Sequence, residues 1–412
     1  MVIQRTNKCH IPYPSGPYAT GCVDFMTEYS SEGCFFRLFY PTDVPVENLK
    51  EYSDKWIPWL PHSMYLKGFA KANRIPLFIY KHGPKFIRKK PYYIPTITNA
   101  PLSQTQKSYP LFIFSHGYAA TRFMCSEYCN SIASHGFIVA ALEHRDRSAA
   151  ATYYYDSPES VFNNTPTWIR HEPLFKRYSV HRHIIRNIQV KIRLKEISKI
   201  LDILFKIHNG IKVENIMNSS FDLDQFKGKL DCENVIASGF SFGGMTSIYA
   251  GAHDNRVKAI IIVDGWMSPL KLVPLMDIKQ PILFINSQTF HWPSNIIMIN
   301  KYCNSGGIRQ LYTLKNTTHE SHTDTASIWS YWLDPFVWRK INFISFKWTK
   351  MNPKMVLRIQ SSLTIKFLNE NHGYPENCTK ANKYIEDHKD RHIVDYIICH
   401  TKSNQKTTIT YI

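Results

Sequence analysis

The segment Gly239-Phe240-Ser241-Phe242-Gly243 carries the residue types for covalent chemistry. Gly-x-Ser-x-Gly between a strand and a helix forces a turn too tight for side chains at the glycines, and it leaves the serine hydroxyl exposed. On its own the pattern is often only a turn. Here an apolar run at 235–237 precedes it, and Met245, Ile248 and Tyr249 follow at helical spacing, which is the context a nucleophile needs. A hydroxyl attacks only when a base removes its proton, so an acid and a histidine are expected in the order Ser, Asp, His. Asp264 follows the run 259–263 and is the expected acid, its alternative being a helix N-cap. His319 follows the run 311–314 as the expected base; His322 competes with it, and Asp324 either orients one of them or caps the next helix. The oxyanion of an acyl intermediate needs two backbone N–H donors. Phe242, directly after the nucleophile, supplies one, and Tyr118 in Ser115-His116-Gly117-Tyr118 supplies the other. Trp266, His116 and Phe240 are placed around the substrate pocket, with His116 alternatively a structural histidine beneath its loop.

These residues need a scaffold that brings strand ends together. Short apolar runs at 111–114, 137–141, 235–237, 259–263, 282–285 and 311–314 alternate with helical patterns, including 127–134 and 192–207. Such alternation specifies an α/β fold, a mostly parallel central sheet with helices on both faces. The α/β-hydrolase arrangement puts each candidate residue just after a strand. The division expected is a catalytic domain over 1–373 and a polar tail over 374–412. Residues 56–102, rich in proline, aromatic and basic residues, read as a lid or interfacial loop.

The chain has 412 residues, 44% of them hydrophobic, enough to bury a large core. Its formal charge of +18 calls for an anionic partner such as acidic head groups. The basic cluster around Arg177, Arg182, Arg186 and Arg193 comes with no nucleic-acid-binding motif, so it reads as a solvated helix face and no nucleic-acid partner is expected. The nine cysteines are scattered without zinc spacing, and His181-x-His183 lacks further ligands, so neither metal nor cofactor is expected. No run approaches the roughly 20 apolar residues of a membrane span, and the start lacks a signal-peptide core. The expectation is a cytoplasmic chain, peripheral on membranes or lipid particles, with a secreted form open if the N-terminus is incomplete. Oligomeric state is not encoded legibly.

Several strings go beyond the generic fold: Phe114-Ser115-His116-Gly117, the stretch 133–141, Glu143-His144-Arg145-Asp146-Arg147-Ser148-Ala149, Phe221-Asp222-Leu223-Asp224-Gln225, Asp264-Gly265-Trp266-Met267 and Phe284-Ile285-Asn286-Ser287. Together they resemble the platelet-activating factor acetylhydrolases from about residue 11 to about residue 373. The resemblance implies a calcium-independent serine esterase that removes acetyl or short, oxidised acyl groups from the sn-2 position of phospholipids. It also implies the triad Ser241, Asp264 and His319, with oxyanion donors at Tyr118 and Phe242, and it sets His319 above His322. Phe240 departs from it, standing where the family usually has histidine. Leu77, Phe78, Ile79, Tyr80, Phe86 and Ile87, interleaved with Lys and Arg, form an expected lipid-interface patch, alternatively a packed loop. The competing functions are a general carboxylesterase and a catalytically weak lipid-binding protein. The charges at 143–146 are expected to form a buried ion-pair cluster under the site.

Overall fold

The computed structural model describes residues 8–74, 77, 91–173, 180–267, 269–270, 273–332 and 351–398. The chain begins with β1 (Cys9–His10), β2 (Tyr18–Met26), β3 (Phe35–Pro45), β4 (Trp56–Pro58), α1 (Met64–Asn73) and β5 (Tyr92–Thr98). The alternating section follows: β6 (Tyr109–Ser115), α2 (Ser126–Ser134), β7 (Ile138–Leu142), the hairpin β8 (Ala151–Tyr154), α3 (Pro158–Phe162) and β9 (Thr167–Arg170), and then α4 (Val180–His208). It continues through β10 (Leu230–Phe240), α5 (Phe242–His253), β11 (Val257–Val263), β12 (Ile282–Ser287), α6 (Pro293–Cys303) and β13 (Arg309–Leu314). The chain closes with α7 (Asp324–Trp332), α8 (Pro353–His372), α9 (Thr379–Asp387) and β14 (His392–Ile398).

Among the described residues these strands build a 12-stranded sheet in the order β1-β5-β2-β3-β7-β6-β10-β11-β12-β13-β14, with β4 on β5. The stretch β7-β6-β10-β11-β12-β13 is parallel throughout, as connections through helices require. Side chains alternate between its faces. Phe112, Phe114, Val139, Ala141, Ile261 and Leu283 pack against Tyr128, Ile132, Val356 and Ile359 of α2 and α8. Leu111, Ile113, Ile138, Ala140, Ile260 and Phe284 pack against Ile200, Leu204, Met245, Ile248 and Ile299 of α4, α5 and α6. Burying both faces explains why these strands read as continuous apolar runs.

Two boundaries differ from the sequence reading. Residues 56–102 are not a lid throughout: β4 and β5 join the main sheet, burying Trp56, Tyr92, Ile94 and Ile97. Pro95 hid this strand, yet it falls between the β1 pairings at 92–93 and the β2 pairings at 97–98, where no ladder N–H is needed. Within the expected interfacial patch, Leu77 is half-buried, and Phe78, Ile79, Tyr80, Phe86 and Ile87 lie outside the described residues. The polar tail is also structured as far as Ile398. Helix α9 buries Ala381 and Ile385, four residues apart, and β14 adds an antiparallel edge to β13. Among the described residues no helix is long and apolar enough to cross a membrane.

Candidate active site

Ser241 occupies the turn between β10 and α5, with φ 56° and ψ −115°. This is a left-handed conformation that a non-glycine residue adopts only at a cost of roughly 1–3 kcal/mol. The strain is built in by neighbours that have no room to move. A Cβ on Gly239 would lie 2.2 Å from the Gly243 carbonyl carbon, and one on Gly243 would lie 1.9 Å from the Ser115 carbonyl oxygen. The turn is pinned to the next strand, because Ser241 N–H donates to Val263 O at 3.0 Å and Trp266 N–H donates to Ser241 O at 2.8 Å.

Asp264 follows β11 and also has positive φ, 47°. Its carboxylate is fully buried and has three donors around it: Ser287 N–H at 2.8 Å, the Ser287 hydroxyl at 2.7 Å and His319 Nδ1 at 2.7 Å. Burial opposes its ionisation, but the His319 contact and the Ser287 hydroxyl outweigh burial and hold the carboxyl below its usual range. With Nδ1–H committed to Asp264, the proton-accepting lone pair of a neutral His319 is at Nε2. The ring stacks against two phenyl rings, Phe240 at 4.5 Å with a 25° tilt and Phe290 at 4.0 Å with an 11° tilt. Since Phe240 directly precedes Ser241, this stack sets the base beside the nucleophile turn.

His322, the competing base, is buried near Asp264 but has its Nδ1 on Gln360 Oε1 at 2.8 Å; desolvation lowers its pKa. Asp324 does not orient either histidine. It accepts from the Ser126 and Glu127 N–H groups at 2.9 and 3.0 Å and from Trp59 Nε1 at 2.9 Å, so it caps α2 although it begins α7.

The loop after β6 passes against the nucleophile, and a Cβ on Gly117 would lie 3.1 Å from both Ser241 Cβ and the Phe240 ring. Phe242 is the first residue of α5, so its N–H has no acceptor within the helix. Tyr118 is anchored by its hydroxyl, which donates to Glu172 O at 3.1 Å, and by Arg186 stacked 4.5 Å from its ring. His116 is not a pocket residue. Its Nδ1 meets Gly117 O at 2.7 Å and its Nε2 accepts from His144 N–H at 3.1 Å, which fixes a neutral tautomer; burial drives its pKa well down. Trp266 is nearly buried, with its ring 6.0 Å from that of Phe242.

Beneath this loop lies the expected ion-pair cluster, completed by a residue read as solvated. Arg193 is fully buried, donating to Asp146 Oδ2 at 2.8 Å, to His116 O at 2.7 Å and to the Ser148 hydroxyl at 2.5 Å. Arg186 is buried as well. An arginine seven residues after another shares its helix face, and that was the signal available in the sequence. Phe290 and Ser287 were also missed as site residues. Ser287 ends a recognised string and Phe290 lies three residues beyond, so only geometry reveals their roles.

Comparison with known proteins bears on the family and the fold. A model of the family described as platelet-activating factor acetylhydrolase, isoform II, matches residues 3–392. The chain is similar to platelet-activating factor acetylhydrolase of Canis lupus familiaris, 35% identical over 79% of this chain and 70% of that protein. The corresponding protein of Cavia porcellus is 32% identical over 97% of this chain and 86% of its own length. A ferulic acid esterase from Streptomyces cinnamoneus has the same fold, with TM-score 0.60 at 14% identity over 89% of this chain and 94% of that one.

Proposed function

The chain belongs to the platelet-activating factor acetylhydrolase, isoform II family, and from that premise we propose that it hydrolyses the sn-2 acetyl or short acyl ester of platelet-activating factor and related phospholipids, using Ser241, His319 and Asp264. The observation that carries the residue assignment is the Asp264–His319 contact at 2.7 Å, set at the end of the strand next to the one that delivers Ser241.

In this mechanism Ser241 Oγ attacks the sn-2 carbonyl carbon while His319 Nε2 takes its proton. Asp264 stabilises the imidazolium and keeps Nδ1 protonated. The carbonyl oxygen, now an oxyanion, accepts from Phe242 N–H and Tyr118 N–H. Collapse of the tetrahedral intermediate breaks the bond to the glycerol oxygen, which leaves with the proton from His319. Water then attacks the acyl-Ser241 ester, giving its proton to His319, and the second collapse releases the short acid and restores the serine. Proton transfer closes on His319, so the reading includes calcium independence: turnover should be unchanged in excess EGTA. The partner implied is a phospholipid surface, met peripherally.

A fluorophosphonate probe should label the parent at Ser241 and leave Ser241→Ala unlabelled. Hydrolysis by Ser241→Ala should fall by about 10⁴-fold or more. Acetate release from an acetylated ether phosphocholine should exceed fatty-acid release from its long-chain counterpart. Labelling that persists in Ser241→Ala would defeat the assignment, and equal turnover of p-nitrophenyl acetate and the vesicular ether lipid would favour a general carboxylesterase.

A further inference from the structure

Helix α4 presents an apolar stripe to solvent where it borders the site. Ile184, Ile188 and Ile192 are 50%, 54% and 39% exposed, and Lys191 and Lys195 beside them are exposed too. At about 100° per residue, these five side chains fall within an arc of about 100° on one face of the helix. The opposite face holds Arg186, Val190, Arg193 and Ile197, all buried. Single exposed isoleucines are unremarkable on a protein surface, but three aligned on successive turns form a patch. Residues 180–195 contain no Asp or Glu, and Glu196, the next residue in the row of isoleucines, is turned inward onto Arg145 N–H and His144.

Its location matters as much as its composition. The end of α4 meets the start of β10, where Gly228 N–H donates to His208 O at 2.9 Å. Arg186 and Arg193 reach the loop after β6, so the first half of the helix lies at the C-terminal ends of the central strands, where Ser241 is. Arg186 stacked on Tyr118 and Arg193 bonded to His116 O place the stripe on the outer side of the helix that supports the Gly117–Tyr118 loop.

We propose that this face of α4 docks onto an anionic phospholipid surface, with Ile184, Ile188 and Ile192 entering the acyl boundary and Lys191 and Lys195 meeting head-group phosphates. The proposal rests on the phospholipid-esterase reading in one respect, that the substrate lies in such a surface. An amphipathic helix with lysines along one side of its apolar stripe suits the interface between head groups and chains.

The test is sedimentation of the full chain with phosphatidylcholine vesicles, with and without phosphatidylserine. The parent should bind more tightly when phosphatidylserine is present. Lys191→Glu with Lys195→Glu should erase that preference, losing about fivefold or more per lysine. Ile184→Ser, Ile188→Ser and Ile192→Ser together should weaken binding to both vesicles by about tenfold or more. Both variants should keep the parent's melting temperature and its rate on water-soluble p-nitrophenyl acetate. Unchanged vesicle binding in both variants would overturn the proposal. So would a fall from dimer to monomer mass in the serine variant, since a second copy would then cover the stripe. A parent that binds vesicles through this face but cleaves no ester would defeat the esterase reading and leave this one standing.

Discussion

Asp264 holds its backbone in the left-handed region while its carboxylate takes three hydrogen bonds, so the side chain has one usable orientation. That rigidity gives Asp264→Asn a sharp expectation. An amide can accept from Ser287 N–H, but its NH2 would then face His319 Nδ1 and force the proton to Nε2, the wrong tautomer for a base. The kcat on a soluble ester should fall by roughly 10⁴-fold with the fold intact by circular dichroism. The Phe240 and Phe290 rings act later in the cycle. When Nε2 takes a proton, the imidazolium lies against two π faces, an attraction of about 0.5–2 kcal/mol. Phe290→Leu keeps an apolar wall but removes one face, so kcat should drop about threefold to tenfold while the KM for p-nitrophenyl acetate stays near the parent value. An unchanged kcat would show that the ring only fills space. Ser241 and Asp264 were readable as candidates because each follows a strand in the expected chain order, whereas His319 and His322 share one strand-end loop and only the family resemblance favoured His319. The stack was not readable, since Phe290 belongs to a different loop from His319 and phenylalanines carry no chemistry that a sequence pattern flags.

At the scale of elements, the site depends on α4 reaching under the loop after β6. Arg193 joins His116 O, Ser148 and Asp146, and Glu196, one turn on, accepts from Arg145 N–H at 2.8 Å and contacts His144. Arg193→Leu leaves Asp146 buried without its counter-charge, a loss of about 3–5 kcal/mol. Thermal unfolding should show a melting point lowered by several degrees or more, and residual activity at low temperature should fall as the His116–Gly117 turn loses its support. The parallel strands were legible because both faces are apolar. The strands β2 and β3 were not, although they are long. Arg37 of β3 is fully buried and paired with Asp24 of β2 at 2.7 Å, and Arg122 joins the same carboxylate at 3.0 Å. Charges in the middle of a strand read as surface until their partner, 13 residues away, is placed beside them. The hairpin of β8 and β9 was hidden for a simpler reason, its shortness.

For the molecule as a whole, the formal charge of +18 belongs to the surface, because among the described residues the buried arginines Arg37, Arg122, Arg145, Arg186, Arg193 and Arg309 are matched in number by buried acids. Two of these acids, Glu127 and Asp324, make stability depend on pH in a direction opposite to the usual carboxylate. Glu127, in the first turn of α2, is buried; desolvation pushes its carboxyl up to about 7, against a hydrogen bond from Ser131 at 3.0 Å and the charge of Arg358. Its neighbour Asp324, likewise desolvated, is also held well above the usual range. A folded carboxyl that keeps its proton to higher pH than the unfolded one binds more protons in the native state. Its contribution is therefore fully present below about pH 4.5, where both states are protonated, and is lost as pH rises toward 7. The slope approaches 1.4 kcal/mol per pH unit inside that window if Glu127 acts alone. Glu127→Gln keeps the shape of the protonated acid and cannot ionise. The difference in melting temperature, variant minus parent, should be near zero at pH 4, climb between pH 4.5 and 7, and level off in favour of the variant above that. Taking the difference cancels the titrating groups remote from Glu127, while Asp324, whose carboxyl the Glu127 charge pushes further up, adds to the difference in the same direction. A flat difference across the range would mean that Glu127 is ionised in the native protein, with the nearby guanidinium of Arg358 outweighing burial.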